Sequence, residues 1–217
     1  MKPIIIIPAY NPPKSFLAFL QNVHTITSIP IIIIDDGSIP KIELENDNTI
    51  LLRNKTNSGK GFSLIKGFNN ALSRGFSHAI TMDADSQHDP NILESFIEIN
   101  ENISIVLGKR QFNTNMPFLR RISNKLTSSI ISYICDKPIL DSQCGYRRYK
   151  LKDVCSEGYL EHGFQFESEV LIKLLCKNCT LHHIEIPTIY TQEHSSINNF
   201  WDTINFIHLI IRYIIRI

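Results

Sequence analysis

The residues of this chain best suited to chemistry stand together at Asp83, Asp85, Gln87, His88 and Asp89, directly after the apolar run Ala79-Ile80-Thr81-Met82. Read as the end of a strand, that run puts Asp83 and Asp85 on one side, because strand side chains alternate with period two. Two carboxylates on one side repel each other unless a cation lies between them or one stays protonated. Hard divalent cations take oxygen ligands, and magnesium characteristically uses one or two carboxylates together with substrate phosphates. The carboxyl end of a strand in an open α/β sheet is also where ligands bind. The spacing points to a metal–diphosphate site, with Asp83, Asp85 and Gln87 as candidate ligands. The competing reading is a solvated turn in which an Asp caps the helix beginning near Asn91. His88 reads as a group behind the ligands or as a cap.

Such a site needs a sheet to carry it. Pro3 to Ile7 is a continuous β-branched run, as expected of a parallel strand buried on both faces, and Pro8-Ala9-Tyr10-Asn11-Pro12-Pro13 stops it abruptly. Lys14 to Thr27 has helical spacing through Phe16, Leu17, Leu20, Val23 and Ile26. A second all-isoleucine strand, Ile31 to Ile34, runs into Asp35-Asp36-Gly37-Ser38, and Ile50 to Arg53 is a third. The loop from Asn54 to Gly61 opens a helix that Gly75 closes, and His78 to Met82 is the fourth strand. Alternation of strands and helices predicts an α/β fold with a mostly parallel sheet covered on both faces. The loops after the first, second and fourth strands then share one edge, which gathers Asn11, Asp36, Asp83 and Asp85.

Two further loops carry weaker signals. Asp36-Gly37 offers a carboxylate suited to a ribose hydroxyl or a base N–H, or is an ordinary Asp-Gly turn. Asn57-Ser58-Gly59-Lys60-Gly61 has no hydroxyl after Lys60, so it is not a P-loop. It reads as a glycine-rich turn at a helix N-terminus, with backbone N–H groups available to an anion. No Gly-x-Gly-x-x-Gly follows the first strand, which disfavours a dinucleotide cofactor.

Composition narrows the class. A chain of 217 residues, 43% hydrophobic, suits one α/β domain, and a net charge of +1 gives no reason to expect a nucleic-acid partner. Five scattered cysteines make no disulfide framework. Cys176 and Cys179, near His182 and His183, look like half a zinc site but read better as a helix end. There is no basic-then-apolar leader, and no apolar run reaches the roughly 18–20 residues of a spanning helix. The expectation is a cytoplasmic chain, peripheral on the cytosolic face of a membrane. From Phe200 to Ile217, Asn205, His208, Arg212 and Arg216 form a narrow polar stripe on an otherwise apolar helix. That helix either lies in a membrane interface with its arginines at the headgroups, or packs on the domain or on a second subunit, as in a homo-oligomer.

Four ordered motifs carry a resemblance. Pro8-Ala9-Tyr10-Asn11, Ile34 to Ser38, Asn57 with Gly59-Lys60-Gly61, and Met82-Asp83-Ala84-Asp85 resemble family 2 glycosyltransferases, which have the glycosyltransferase-A fold and use nucleotide-sugar donors. Gly108-Lys109-Arg110, Arg120-Arg121, Asp141 to Arg147 and Phe164 to Glu169 resemble the polyprenyl-phosphate, dolichol-phosphate mannose synthase-like branch. The Gln-x-x-Arg-Trp motif of processive synthases is missing. The resemblance implies a catalytic domain over residues 1–199 and an amphipathic helix over 200–217. It implies that Pro8, Ala9, Tyr10, Asn11, Asp36, Gly37, Lys60 and Asp83 hold the nucleotide of a UDP- or GDP-sugar. Asp83, Asp85 and Gln87 would bind Mg2+ or Mn2+. Arg110, Arg120, Arg121 and Arg147 would receive the acceptor phosphate, since forked guanidinium groups suit its oxygens. Asp83, Asp85, Asp141 and Arg147 are then the candidate catalytic residues. Asp141 is a base for a hydroxyl acceptor, or else the partner of Arg147 or Arg148. The branch usually has an arginine and a Gly-x-Ser-Lys stretch after the proline that Pro187 matches, where this chain has His194 and Ser196 as substitutes.

The implied activity is inverting, metal-dependent transfer of a sugar to polyprenyl phosphate. Its alternatives are transfer to a saccharide or lipid hydroxyl in surface polysaccharide assembly, and a non-catalytic nucleotide-binding membrane scaffold. A sugar-nucleotide pyrophosphorylase, which usually opens with a glycine- and arginine-rich loop after strand one, does not fit Pro8-Ala9-Tyr10-Asn11.

Overall fold

The computed structural model describes residues 1–44, 46–111, 118–187, 189 and 199–215, with the backbone alone at 118–120 and 199–200. His194 and Ser196, and the side chain of Arg120, lie outside the described residues. Seven strands form one sheet: β1 (Pro3–Ala9), β2 (Ile31–Asp35), β3 (Thr49–Arg53), β4 (His78–Thr81), β5 (Ile105–Arg110), β6 (Arg147–Lys150) and β7 (Leu181–Ile186), in the order β3-β2-β1-β4-β6-β5-β7. All neighbours pair in parallel except β6, which is antiparallel to both β4 and β5. The isoleucines of β1 and β2 have no exposure at all, which is why these two strands read as unbroken apolar runs. Helices α1 (Phe16–Ile26), α2 (Lys60–Ser73), α3 (Leu93–Glu98), α4 (Phe118–Cys135), α5 (Leu151–Cys155), α6 (Phe166–Cys176) and α7 (Asn199–Ile215) complete the fold.

Register brings the loops together. Ala9 lies beside Asp35, Asp35 beside Arg53, and Ile6 beside Thr81, so β1, β2, β3 and β4 end on one edge. Because β6 runs the other way, with Arg147 opposite Thr81 and Leu107, the segment entering β6 arrives at that same edge as β5 leaves it.

One local expectation is corrected. β4 ends at Thr81, and Asp83 to Gln87 form a turn rather than a strand end. Ser86 has φ 61°, and the Asp85 carboxylate accepts the Gln87 N–H at 3.0 Å. Asp83 and Asp85 therefore stand on a tight turn and not on an alternating strand. Asp89 does cap the turn at Pro90–Ile92, accepting the Asn91 N–H at 2.9 Å.

Candidate active site at the carboxyl edge of the sheet

Asp83 is the centre of the edge. The Lys60 ammonium lies 2.6 Å from its Oδ1 and 2.8 Å from Glu167 Oε2, joining β4's loop to the first turns of α2 and α6. Burial pushes the Asp83 carboxyl up, but Lys60 and His88 outweigh it and bring it to about 2. Burial likewise lowers Lys60, and the two carboxylates more than reverse this, so the ammonium is held above its ordinary range. His88 Nδ1 accepts the Asp83 N–H at 3.1 Å, so its proton sits on Nε2, 3.7 Å from Asp83 Oδ2. The His88 ring stacks on Tyr146 at 4.9 Å, and Tyr146 stacks on Phe96 at 4.4 Å. Burial drops the imidazole to about 4, against the pull of Asp83, and it is neutral at pH 7. Gly145 completes the enclosure: a methyl group there would lie 2.9 Å from Asp83 Oδ1.

The loops after β1 and β2 are tied to one another. Asn11, at φ 44°, donates its N–H to Ser38 Oγ at 2.9 Å, and its side-chain oxygen accepts the Ile39 N–H at 2.9 Å. Tyr10 is exposed on the rim. Asp35 accepts the N–H groups of Ser38 and Ile42 and pairs with Arg53, contacts that hold its carboxyl below the usual range despite burial. Gly37, at φ 81°, lets this loop pass against Thr56 and Asn57, where a Cβ would be 2.6 Å from the Thr56 carbonyl carbon.

Asp36 and the glycine-rich turn differ from expectation. The Asp36 carboxylate is buried and accepts Asn54 Nδ2 at 2.7 Å, Ser58 N–H at 2.9 Å and Gly59 N–H at 2.8 Å. The Phe62 N–H at the start of α2 donates to His162 O at 3.1 Å. The anion at this helix N-terminus is therefore the protein's own carboxylate, and Asp36 shapes the loop before it can meet a ribose.

Arg147 and Asp141 stand in surroundings other than those expected of them. Arg147 is fully buried, donating from Nε to Cys144 O, from Nη2 to Ser142 O, and from Nη1 to Glu167 O and the Tyr149 hydroxyl. Its fork braces the chain entering β6 and does not reach an acceptor. Asp141 is equally buried and accepts both Arg110 Nε and Nη2 at 2.8 and 2.9 Å, the Arg110 and Gln143 N–H groups, and Asn124 Nδ2 at 2.7 Å. Burial raises this carboxyl, but the Arg110 and Asn124 bonds win and lower it. A carboxylate so engaged is an arginine's anchor rather than a base, and the arginine is Arg110, not Arg147 or Arg148. Arg148 instead caps α3 through the carbonyls of Phe96, Ile99 and Asn100. Arg121 is half-buried, with no hydrogen-bond partner for Nε among the described residues.

Glu167 was quoted in a motif without a role, and it meets Lys60 across 107 residues of sequence. Nothing in local spacing signals that pairing.

Hard oxygen donors suit Mg2+ or Mn2+, and Asp83, Asp85 and Gln87 supply them from a single turn. The ammonium already seated on Asp83 shows that this carboxylate takes a cation at contact distance. Among the described residues, no group of three or more His, Cys, Asp or Glu forms a metal cage.

The helix after the domain is docked. Leu209 and Ile210 of α7 are buried, Gln165 Nε2 donates to Asp202 Oδ1 at 3.1 Å, and the Tyr213 hydroxyl lies 3.3 Å from buried Glu169. Arg212 pairs with Glu161 at 2.9 Å, which ties α7 to the domain. Cys176 is exposed, and the zinc reading of Cys176 and Cys179 gains no support.

Comparison with known proteins agrees with this geometry. The glycosyl transferase family 2 profile matches residues 4–154. The chain is 30% identical over 215 residues to the UDP-N-acetylglucosamine–dolichyl-phosphate N-acetylglucosaminyltransferase of Methanococcus voltae, covering 87% of this chain and 86% of that protein. It is 22% identical to the polyprenol monophosphomannose synthase of Mycolicibacterium smegmatis over 90% of this chain and 79% of that one. In fold it is similar to glucosyl-3-phosphoglycerate synthase from Mycobacterium tuberculosis, solved with Mn2+, UDP and phosphoglyceric acid, at a TM-score of 0.70 and 12% identity over 99% of this chain and 78% of that one. The sheet is thus the glycosyltransferase-A fold, and the chain is a glycosyltransferase belonging to glycosyl transferase family 2.

Proposed function

We propose that the protein transfers a sugar from a UDP- or GDP-sugar to a polyprenyl-phosphate carrier, inverting the anomeric carbon with Mg2+ or Mn2+ as cofactor. The observation that carries this reading is the commitment of Asp141 to Arg110. A hydroxyl acceptor needs a base, whereas a phosphate monoester, with its second pKa near ~6, does not. The best carboxylate candidate for that base is locked in a two-pronged ion pair, and the names of the two relatives point to the same acceptor class.

In this reading Pro8, Ala9, Tyr10 and Asn11, with Gly37 at the neighbouring loop, form the wall for the nucleotide, and Asp36 acts through the 57–59 loop that it holds. Asp85 and Gln87, with Asp83, would hold the divalent ion; when bound, it neutralises charge developing on the departing nucleoside diphosphate. Arg110, oriented by Asp141, presents its guanidinium to the acceptor phosphate, and Arg121 adds positive charge from α4. Attack by the phosphate oxygen forms the new glycosidic bond as the bond to the diphosphate breaks. No base on the protein is needed.

The apolar stripes on two helices support a membrane-surface location. α7 exposes Trp201, Ile207, Ile211, Ile214 and Ile215, and α4 exposes Ile122, Leu126 and Tyr133. Among the described residues no helix is long and apolar enough to cross a membrane. An interfacial attachment suits both facts.

Binding of a panel of UDP- and GDP-sugars, with and without Mn2+, tests the donor half. One preferred donor is expected, lost with chelator and weakened at least about tenfold by Asp85→Ala. Binding indifferent to both would remove the metal–diphosphate site.

A further inference from the structure

Lys60 occupies an unusual position for a residue at a diphosphate site. Its ammonium is largely buried, with 15% of the side chain exposed, and it bridges Asp83 Oδ1 and Glu167 Oε2. A cation seated there satisfies the same carboxylate that a metal ion would use. Glu167 adds a second observation. Among the described residues its Oε1 is buried without a hydrogen-bond partner, and Arg147 Nε, 3.8 Å away, is already donating to Cys144 O. Buried acceptors are almost always satisfied, so an orphaned carboxylate oxygen marks a place where a donor can arrive.

We propose that Lys60 is a resident counter-ion that makes divalent-metal binding conditional on the nucleotide diphosphate. Before substrate arrives, the ammonium neutralises Asp83, and a free divalent ion must displace it to gain that carboxylate. The diphosphate brings two or more negative charges of its own. Together with the metal it then displaces Lys60 from Asp83, and the ammonium shifts fully onto Glu167, where Oε1 replaces the lost contact. No carboxylate is left unpaired in either arrangement, which matters because an unpaired charge in a buried site is strongly unfavourable. Lys60 is thus a positioning residue that sets the order of binding, metal with nucleotide rather than metal alone. The inference rests on the metal-dependent transferase reading above.

The test is the electron paramagnetic resonance signal of free Mn2+ titrated with protein, with and without UDP and GDP. Wild type is expected to bind Mn2+ only when its preferred nucleotide is present. Lys60→Met should bind Mn2+ without nucleotide, at least about tenfold more tightly than wild type, because a positive charge facing the metal has gone. The double variant Lys60→Met/Glu167→Gln also neutralises Glu167, the lysine's other partner, and leaves Asp83 to the metal; it should behave in the same way, which covers misfolding of the single variant. If the folded variants bind Mn2+ alone no better than wild type while wild type still requires nucleotide, the counter-ion role is overturned and the transferase reading stands. If wild type binds Mn2+ equally well alone, the counter-ion role is again overturned. If it binds no Mn2+ even with either nucleotide, both readings fall together.

Discussion

Asp83 is held from four directions: by Lys60 on Oδ1, by His88 on its own N–H, by Gly145 against the carboxylate, and by its place one residue beyond buried Met82. A group so enclosed has one orientation, and that precision is what a charge-stabilising site needs. Gly145 gives a direct check. Gly145→Ala forces the Asp83 carboxylate aside, so activity should fall about 100-fold or more while thermal unfolding shifts by only ~1–3 kcal/mol. An unchanged rate in a folded variant would separate Asp83's orientation from catalysis. Asp83, Asp85 and Gln87 are legible as oxygen donors from residue type alone. The surroundings of Arg147 and Asp141 were not legible, because a sequence shows that a charge exists but not whether the fold buries it. Both belong to a polar network that joins sequence neighbours, Ser142 and Tyr149, to Asn124 of α4 and Glu167 of α6.

At the scale of elements, the strands were legible because β1 and β2 are unbroken isoleucine runs, and the shared edge followed from their parallel pairing. The turn at Asp83–Gln87 was hidden because its apolar lead-in continues one residue past the last ladder pair, Ile6 with Thr81. Loop 57–59 looked like an anion cradle, and its anion proved to be Asp36. Asp36→Ala takes the acceptor from the Ser58 N–H and leaves Asn54 Nδ2 and the Gly59 N–H only their 3.1 Å bonds to Ser63 Oγ and Asn57 Oδ1, so it should destabilise the protein by roughly 1–3 kcal/mol, with weaker nucleotide binding as the loop relaxes. Denaturant unfolding and nucleotide titration measure both. β4 carries a pH-dependent element at its other end. His78 is buried; its Nε2 donates to Glu101 O at 2.9 Å and its Nδ1 lies 2.9 Å from Ser77 Oγ. Burial, with Arg148 and Lys150 nearby, lowers this imidazole below 6.5 against the Glu101 carbonyl's pull. Between its folded value and 6.5 the unfolded chain binds the extra proton, so stability is complete above that range and falls as pH drops into it. His78→Gln should flatten this part of a plot of stability against pH, and an unaltered slope would assign the acid sensitivity elsewhere.

The whole molecule pairs a chemical edge with outward apolar stripes. The sequence suggested that α7 lies on a membrane or packs on the domain; the structure supports a division of labour around one helix. Leu209, Ile210 and Tyr213 face the domain, and Trp201, Ile207, Ile211 and Ile214 face outward. The stripe of polar residues could not reveal this, because Arg212 pairs with Glu161 at a position set by tertiary docking. Replacing Trp201, Ile211 and Ile214 together by Ser should abolish sedimentation with anionic vesicles and leave the melting temperature within a few degrees, since these side chains contribute little to the core. Loss of folding instead would mark them as packing residues. The most direct measurement of the account is transfer of labelled sugar from the preferred UDP- or GDP-sugar to polyprenyl phosphate in vesicles containing Mg2+ or Mn2+, with wild type beside Asp85→Ala. The account predicts an alkali-stable, acid-labile glycosyl-phosphate lipid made by wild type and reduced at least about 100-fold in the variant or with chelator. Sugar appearing only on a hydroxyl acceptor, or lipid product undiminished by Asp85→Ala, would contradict it.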